Sequence, residues 1–340
     1  MKRYLLLFCG LFAAIFLKAQ QEYVDEVSVD ARTTFHQQTT DGVYDSHFQG
    51  DYFNLHIKGH MGESLTYRVR QRMNKKIDEK NPFNATDLLW IRWQATPKWS
   101  FMAGKQAILV GGYEYDSAPI DVYYYGAFTT RLYQYFAFGA TASYSPVPGQ
   151  EISFQFCPSP ISPGTQDSYS YNLYWNGGYG IWKTTWSYNY VEDEYHRHMN
   201  WIALGNKFKL GKLVVDVDYV NRAAFGQPRF FFTDWSLITK AILTLGKWNL
   251  CTKVGYERNL AENVAPDGLS YDLVLPAGND YLYGGAGVEY FPLGNDNLRL
   301  HAVYFGDNHD LVHNFDIGIT WRFSIYKRPG SHQRDHTQSL

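Results

Sequence analysis

The sequence has no long apolar run beyond its N-terminus, little helical periodicity and almost no net charge. After residue 17, no apolar stretch approaches the roughly 20 residues that a membrane-spanning helix needs. Few segments show the 3.6-residue period of an amphipathic helix. The net charge of −2 at pH 7 does not indicate a surface for nucleic acid. These absences argue against helical membrane spans and against nucleic-acid partners.

The first 19 residues have the parts of a secretory signal. Lys2 and Arg3 are basic, residues 5–17 carry no charge, and Leu17-Lys18-Ala19 provides a cleavage site. We therefore predict a signal peptide over residues 1–19 and export of the remaining chain. Of the three cysteines, Cys157 and Cys251 follow this signal. We place both on strands, and a bridge between them remains open.

Aromatic side chains are abundant and are arranged with the period of a β-strand. They make up 18% of the chain, with 28 Tyr, 22 Phe and 10 Trp, which exceeds what one core needs. Such rings are typical of the interfacial girdles of membrane barrels. Apolar and polar residues alternate in about sixteen segments of about ten residues, the length that a tilted strand needs to cross a bilayer.

The connections between these segments alternate between short and long. Residues 96–98 form one of the short turns, whereas residues 36–49 and 106–131 are long connections, the second being the longest. Outer-membrane barrels have short periplasmic turns and long outer loops, and an even number of strands leaves both ends in the periplasm. We therefore predict an all-β fold, a transmembrane antiparallel β-barrel of about sixteen strands over residues 20–325, followed by a tail over residues 326–340.

The two faces of the predicted strands differ as expected for a wet lumen and a lipid-facing exterior. In the strand at residues 64–73, Leu65 and Val69 lie on one face, and Arg68, Arg70 and Arg72 lie on the other. Carboxylates on alternating positions, as at residues 216 and 218, would be costly in a dry core but are tolerated beside water. Outward rings assigned to the interfacial girdles are Trp93, Trp99, Trp321 and Phe323.

Three stretches resemble the phosphate-selective porin O and P family. They are the TYRVRQR run of residues 66–72, the AGKQ segment of residues 103–106 and the GGYEYD loop of residues 111–116. The resemblance implies a sixteen-stranded channel, commonly a trimer, whose third loop folds into the lumen. In this chain that loop would be residues 106–131. The constriction residues that it implies are Gly111, Gly112, Glu114, Asp116 and Asp121.

The resemblance also implies a pore lined with basic side chains. This role carries over to the basic side chains on the inward faces of three neighbouring strands, which are His56, Lys58, Arg68, Arg70, Arg72 and Arg92. The three acidic residues in the presumed constriction loop depart from a phosphate-selective pattern. A chain that continues past Phe323 also departs from barrels that end on a terminal aromatic residue.

The predicted function is therefore that of an outer-membrane porin of a Gram-negative cell. It would let small hydrophilic solutes diffuse with a mild preference for anions, of which phosphate is one candidate. Expected partners are outer-membrane lipids, small anions and two further copies in a homotrimer, with no cofactor, no metal and no catalysis. The alternatives are a barrel enzyme, which would need a nucleophile beside a histidine and an acid, and a non-conducting structural barrel or adhesin.

Several local features have a second interpretation. The arginine face could be a structural ladder paired with the acidic residues of the loop, as readily as a route for anions. We interpret Gly111-Gly112 as a loop hinge, because no strand-to-helix context for phosphate binding surrounds it. His196 and His198, with the acidic residues 192–194, could bind a metal, but a charged outer loop is the favoured interpretation.

Overall fold

The computed structural model describes residues 23–329, apart from 80, 133, 163, 194, 226, 228, 261–277 and 309–310. The predicted signal peptide and most of the predicted tail lie outside the described residues. Sixteen antiparallel strands close into a barrel, which confirms the predicted fold class. In the part of the chain that the structure describes, no helix is both long and apolar enough to span a membrane.

Each strand pairs with its neighbours in sequence, and β1 pairs with β16 to close the barrel. The strands are β1 (Val24–Thr40), β2 (Val43–Met61), β3 (Leu65–Arg72), β4 (Thr86–Gln94), β5 (Trp99–Ala107), β6 (Phe136–Tyr144), β7 (Glu151–Pro158), β8 (Tyr169–Tyr179), β9 (Trp182–Glu192), β10 (His198–Leu210), β11 (Leu213–Ala224), β12 (Asp234–Leu245), β13 (Trp248–Asn259), β14 (Asp280–Tyr290), β15 (Leu298–Asp307) and β16 (His313–Lys327).

The strands bury polar side chains and expose apolar ones, the reverse of a soluble protein. On β7, Ser153 and Gln155 are fully buried, whereas Phe154 between them is 50% exposed. Successive side chains of a strand point to opposite faces, so the buried polar face lines the lumen and the exposed aromatic face is left for lipid. Cys157 of β7 and Cys251 of β13 lie on strands, as predicted, and both are free thiols, which answers the open question of a bridge.

One end of the barrel carries tight turns. Gly211 and Gly246 occupy the first positions of the two-residue turns between β10 and β11 and between β12 and β13, with φ of 64° and 63°. Positive φ suits glycine, and such turns match the twist of paired strands. Trp93 and Trp99 flank another connection at this end, and Trp99 packs 4.8 Å from the ring of Tyr144. The rings lie where the periplasmic girdle is expected.

The predicted long loop over residues 36–49 is wrong. β1 and β2 instead run on as a long hairpin that turns at Asp41 and Gly42, with φ of 48° and 79°. Asp-Gly with both φ values positive is the preferred type I′ hairpin turn, and the polar residues around it concealed that signal. The hairpin extends above the wall, where Phe48 is 84% exposed and contacts the ring of Phe35 at 4.6 Å.

The longest connection, residues 108–135, follows β5 and lies inside the barrel. It contains two short helices, α1 (Tyr113–Asp116) and α2 (Ala127–Arg131), with a 3-10 turn at Pro119–Asp121 between them. The main apolar cluster of the molecule forms where this loop meets the wall, and Phe128 packs edge-on against Trp201 of β10 at 5.5 Å. The loop is therefore packed against the wall like a core element.

Candidate functional site: the lumen and its inserted loop

Arg68, Arg70 and Arg72, which we call the arginine file, project from β3 into the lumen. They stand directly opposite Lys58, His56 and Asn54 of β2, so the predicted basic residues of the two strands share one face. At ~3.3 Å per residue, successive guanidinium groups rise by roughly 6 to 7 Å along the wall. The register therefore forms a continuous basic strip on the inner surface.

The arginine file is held by a wall carboxylate that the sequence analysis did not identify. Asp87 Oδ2 accepts hydrogen bonds from the Nε atoms of Arg70 at 3.1 Å and Arg72 at 2.9 Å. A register shift between β3 and β4 lies at this position, which the strand period alone cannot reveal. Arg70 is also packed over the ring of Phe136, 4.8 Å from its centroid. The partner of the arginine file is therefore part of the wall.

Of the other predicted basic residues, His56 and Lys58 lie level with Arg70 and Arg68, and Arg92 lies nearer the end of the barrel that carries the short turns. His56 is 3.2 Å from Asp30, and Lys58 forms a looser ion pair of 3.4 Å with Glu26, both carboxylates belonging to β1. Arg92 stands opposite Thr66, one step below the arginine file, and lies over the ring of Trp90 at 5.9 Å. The predicted basic strip thus continues down the wall, with its lower members individually compensated or stacked.

Three further arginines of the lumen bind the inserted loop, namely Arg32, Arg299 and Arg322. Arg32 of β1 donates hydrogen bonds to the carbonyl oxygens of Ile120 at 3.2 Å and Val122 at 2.9 Å. Arg299 of β15 also donates to the Ile120 carbonyl, at 3.0 Å. These side chains are not among the residues predicted from the sequence, although the period of β1 places Arg32 on the inward face. They hold the tip of the loop against the strands where the barrel closes.

Asp121 at the tip of the loop forms ion pairs with two arginines. Its Oδ1 lies 2.9 Å from Arg299 and 2.6 Å from Arg322 of β16. Burial by itself would raise the pKa of Asp121, but the two guanidinium groups outweigh it and hold the pKa below its ordinary value. The predicted constriction residue is therefore an ionised anchor of the loop.

On the opposite side of the lumen, side chains of the wall bind backbone groups of the inserted loop. We call the wall residues that do so the cradle; they are Gln155, Thr185, Ser187, Asn189, Asp218 and Glu257. Gln155 accepts from the Leu109 N–H at 2.8 Å, and the Leu109 carbonyl accepts from Asn189 at 2.7 Å. Ser187 accepts from the N–H of Gly111 at 2.8 Å. The cradle satisfies backbone groups that would otherwise be buried without partners.

Two carboxylates of the cradle lie at the starts of the short helices. Asp218 accepts hydrogen bonds from the N–H groups of Tyr113 at 2.8 Å and Glu114 at 2.7 Å. Glu257 accepts from Ala127 at 2.5 Å and Phe128 at 3.0 Å. The first N–H groups of a helix have no hydrogen-bond partner within the helix. At the start of each short helix, a carboxylate of the wall accepts hydrogen bonds from two of these groups. The alternation along β11 predicts only a polar group facing the lumen at Asp218 and gives no sign of this role.

Glu114 does not face the arginine file. Its carboxylate accepts hydrogen bonds from the Gly126 N–H at 2.8 Å and the Thr129 hydroxyl at 2.9 Å, and it forms an ion pair with Lys253 of β13. It therefore joins α1 to the start of α2. Of the three acidic residues predicted for the constriction, the structure places Glu114 inside the loop anchorage and brings Asp116 and Asp121 to the open lumen.

Gly111 and Gly112 are buried against the wall, which does not fit the interpretation as a hinge. A Cβ on Gly111 would lie 2.6 Å from the Thr185 carbonyl oxygen and 2.7 Å from that of Ala203. Gly112 has a φ of 112° and lies close to Gly205 of β10. A Cβ on Gly205 would collide with the backbone of Gly112. Both glycines permit the loop backbone to approach the strands.

A cavity of about 440 Å³ separates the arginine file from the inserted loop. Its charged lining residues are five basic and five acidic side chains besides His56, namely Arg68, Arg70, Arg72, Lys207 and Arg322, and Asp30, Asp87, Asp116, Asp121 and Asp296. Wall arginines thus face acidic loop residues across open space. This arrangement imposes a transverse field on any solute that enters.

The loop after β9 offers no metal site in the described residues. Asp193 forms an ion pair of 2.6 Å with Arg197, and His198 lies 3.8 Å from Glu192 while stacking on Tyr190. Residue 194 lies outside the described part of the chain. Within the ranges that the structure describes, no group of three or more His, Cys, Asp or Glu side chains is placed to hold a metal ion.

The model of the phosphate-selective porin O and P family matches residues 27–178, which confirms the resemblance over that range. In overall structure the chain is similar to Vibrio cholerae OmpT, folded in vitro and in its trimer form, with 12% identity over 87% of this chain and 99% of that chain and a TM-score of 0.60. It is also similar to Salmonella typhi OmpF in complex with daunomycin, with 15% identity over 88% and 98% and a TM-score of 0.60. No curated protein matches the chain. At these identities the structural likeness establishes the fold.

Proposed function

We propose that this chain, an outer-membrane porin whose residues 27–178 match the phosphate-selective porin O and P family, is a general diffusion channel with a mild preference for anions. The observation that carries this proposal is the cavity of about 440 Å³ between the arginine file and the inserted loop. Because the loop is fixed to the wall on both sides, the open space along β2 and β3 is the path for solutes. Small hydrophilic molecules pass there by passive diffusion.

The sign of the preference follows from how the carboxylates are shared. Asp87 is shared by Arg70 and Arg72, and Asp121 is likewise shared by two arginines of β15 and β16. At Asp87 this sharing leaves about one positive charge uncompensated, whereas at Asp121 the second arginine, Arg299, also has Glu289 as a partner at 3.4 Å. Successive guanidinium groups of the arginine file, roughly 6 to 7 Å apart along the wall, are within a Debye length of ~8 Å at physiological salt, so the potentials of neighbouring groups add locally.

The strength of the preference is limited by the equal numbers of basic and acidic side chains around the cavity. A transverse field orients a hydrated solute without strongly selecting the sign of its charge. We therefore expect phosphate to permeate as one small anion among others, without a dedicated site. The acidic residues Asp116 and Asp121 on the loop side are the reason.

The wider setting of the proposal is an exported homotrimer. The predicted signal over residues 1–19 supports export, and the trimer form of the similar Vibrio cholerae OmpT supports a trimer here. Outer-membrane lipids would surround the outward rings. We expect no catalysis, because the lumen polar groups described above are engaged with the loop or with one another.

The test is the reversal potential of single channels in a KCl gradient across a planar bilayer. The wild type should be mildly anion-selective, and changing Arg68, Arg70 and Arg72 together to Glu should shift the reversal potential to the cation side. Heat-modifiable mobility in SDS checks that the variant has closed into a barrel. A wild type that is already cation-selective, or a triple variant with an unchanged reversal potential, would show that the arginine file does not govern permeation.

A further inference from the structure

A smaller cavity of about 170 Å³ adjoins the pore cavity and is lined mainly by aromatic rings. It shares Tyr52, Arg72, Ser117 and Pro119 with the pore cavity. Its remaining lining residues are Tyr115, Tyr125, Tyr135 and Phe136. Because β3 ends at Arg72 and β6 begins at Phe136, this aromatic pocket lies toward the end of the barrel that carries the long loops. A solute entering from outside reaches it before Arg70 and Arg68.

The rings of the aromatic pocket are held in place from behind. Tyr115 and Tyr135 stack at 5.6 Å with their planes 24° apart. Arg32 lies over the ring of Tyr52, 4.8 Å from its centroid. Tyr115 is buried, and its hydroxyl has no hydrogen-bond partner in the described part of the chain. The pocket therefore presents aromatic faces that neighbouring side chains hold in position.

Arg72 is the charged group of the aromatic pocket. Its Nε binds Asp87, but its side chain is 28% exposed, compared with 4% for Arg70 in the same file. A planar guanidinium can hold a carboxylate through parallel N–H groups while one N–H is bound elsewhere. Burial raises the pKa of Tyr125 and Tyr135 above the usual phenol value. Both hydroxyls are therefore neutral and can donate hydrogen bonds to a carboxylate bound at Arg72.

The volume of the aromatic pocket limits the size of the group that it can bind. A cavity of roughly 150 Å³ is enough to hold one benzene ring, and this pocket has about 170 Å³. Ligand sites typically combine apolar walls with a few polar groups that fix orientation. We propose that the pocket binds small carboxylates that carry one aromatic ring, with the ring among the tyrosines and the carboxylate on Arg72. The inference rests on the proposed channel function and adds a solute class to it.

The experiment measures block of the chloride current by solutes added to the side of the long loops. Benzoate should reduce the single-channel current at a concentration roughly tenfold lower than acetate, because only benzoate gains the aromatic packing. Phenol has the ring without the charge and should block more weakly than benzoate. Acetate serves as the internal reference in every variant.

A matched pair of variants at Tyr135 and one variant at Arg72 locate the site. Tyr135→Ala should bring the benzoate and acetate concentrations close together, whereas Tyr135→Phe keeps the ring and should keep most of the difference. Arg72→Gln should weaken block by benzoate until it resembles block by phenol. Heat-modifiable mobility in SDS again verifies that each variant has folded.

The outcomes separate this inference from the proposed function. A wild type that conducts chloride but is blocked equally by benzoate and acetate overturns the aromatic pocket and leaves the channel in place. Equal block by phenol and benzoate also overturns it, because Arg72 would then have no role. A wild type that conducts no chloride overturns the proposed function itself.

Discussion

The two sides of the lumen use the same kinds of polar side chain for opposite purposes. On the β2–β4 side, Asp87 binds Arg70 and Arg72 of the same wall, so these groups are satisfied while still bordering the cavity. On the β9–β13 side, Asp218 and Glu257 bind backbone N–H groups of the inserted loop. One wall therefore keeps its charge available to solutes, and the other uses it to hold the loop.

The comparison shows that a polar residue facing the lumen is not by that fact a residue of the permeation path. Glu114 and Asp116 are two residues apart on the same loop, yet Glu114 binds Gly126 and Lys253, whereas Asp116 borders the pore cavity. What distinguishes them is the partner of each carboxylate. A count of lumen-facing charges taken from the strand pattern therefore does not distinguish carboxylates that hold the loop from carboxylates that border the pore cavity.

The largest expected effect comes from removing the loop that separates the two walls. Replacing Tyr113–Tyr124 with a short Gly-Ser linker should raise single-channel conductance by roughly two- to threefold, because a sixteen-stranded barrel without an insert encloses an open aqueous channel. The replaced segment includes α1 and the anchor Asp121. Circular dichroism and SDS mobility verify the barrel. Unchanged conductance in a folded variant would place the current away from this loop.

A smaller effect should follow when the cradle alone is weakened. In the double variant Asp218→Asn and Glu257→Gln, each site loses one oxygen acceptor for loop N–H groups, at a cost of about 1–3 kcal/mol for each unsatisfied group. We expect higher open-channel noise and closure at lower voltage, with little change in the reversal potential. The matched control Asp87→Asn acts on the other wall and should change the reversal potential more than the noise. If the double variant changed mainly the reversal potential and Asp87→Asn changed mainly the noise, the comparison of the two walls would be wrong.

The sequence predicted the barrel because its periodicity is local. Strand length, alternation and turn residues such as Gly211 are read within a few positions, and β3 with its three arginines follows from period two alone. The partners of the loop could not be read in this way. Asp218 is separated by 104 residues from Glu114, whose N–H it accepts, and the register shift that brings Asp87 to the arginine file has no mark in the alternation.

The hairpin of β1 and β2 was mispredicted although its turn signal is local. Asp41-Gly42 is a local signal for a two-residue turn, but polar side chains around it favoured a loop over a strand. Because the hairpin extends beyond the bilayer, both of its faces are wet, and apolar alternation is no longer required. The pattern that identifies a transmembrane strand therefore fails where that strand leaves the membrane.

The smallest expected effect concerns pH. The pKa of Asp121 is held below its ordinary value of 3.8, so its ion pairs with Arg299 and Arg322 are complete above that value and are lost only as the pH falls through the lowered pKa. The contribution of Asp121, measured as the difference in noise between the wild type and Asp121→Asn, should therefore stay constant from pH 7 to about pH 4 and change at lower pH. Asp121→Asn should show the noisier state already at pH 7. A transition in that difference between pH 5 and 7 would contradict this assignment.

Chemical modification of single cysteines tests most directly which wall borders the current. In a background with Cys157 and Cys251 changed to Ser, Arg68→Cys places a thiol in the pore cavity, and Ile238→Cys places one on β12 behind the inserted loop, where Ile238 is buried. An anionic methanethiosulfonate added during recording should reduce the current stepwise for Arg68→Cys and leave it unchanged for Ile238→Cys. Equal reduction for both, or reduction for Ile238→Cys alone, would contradict a current that follows the arginine file.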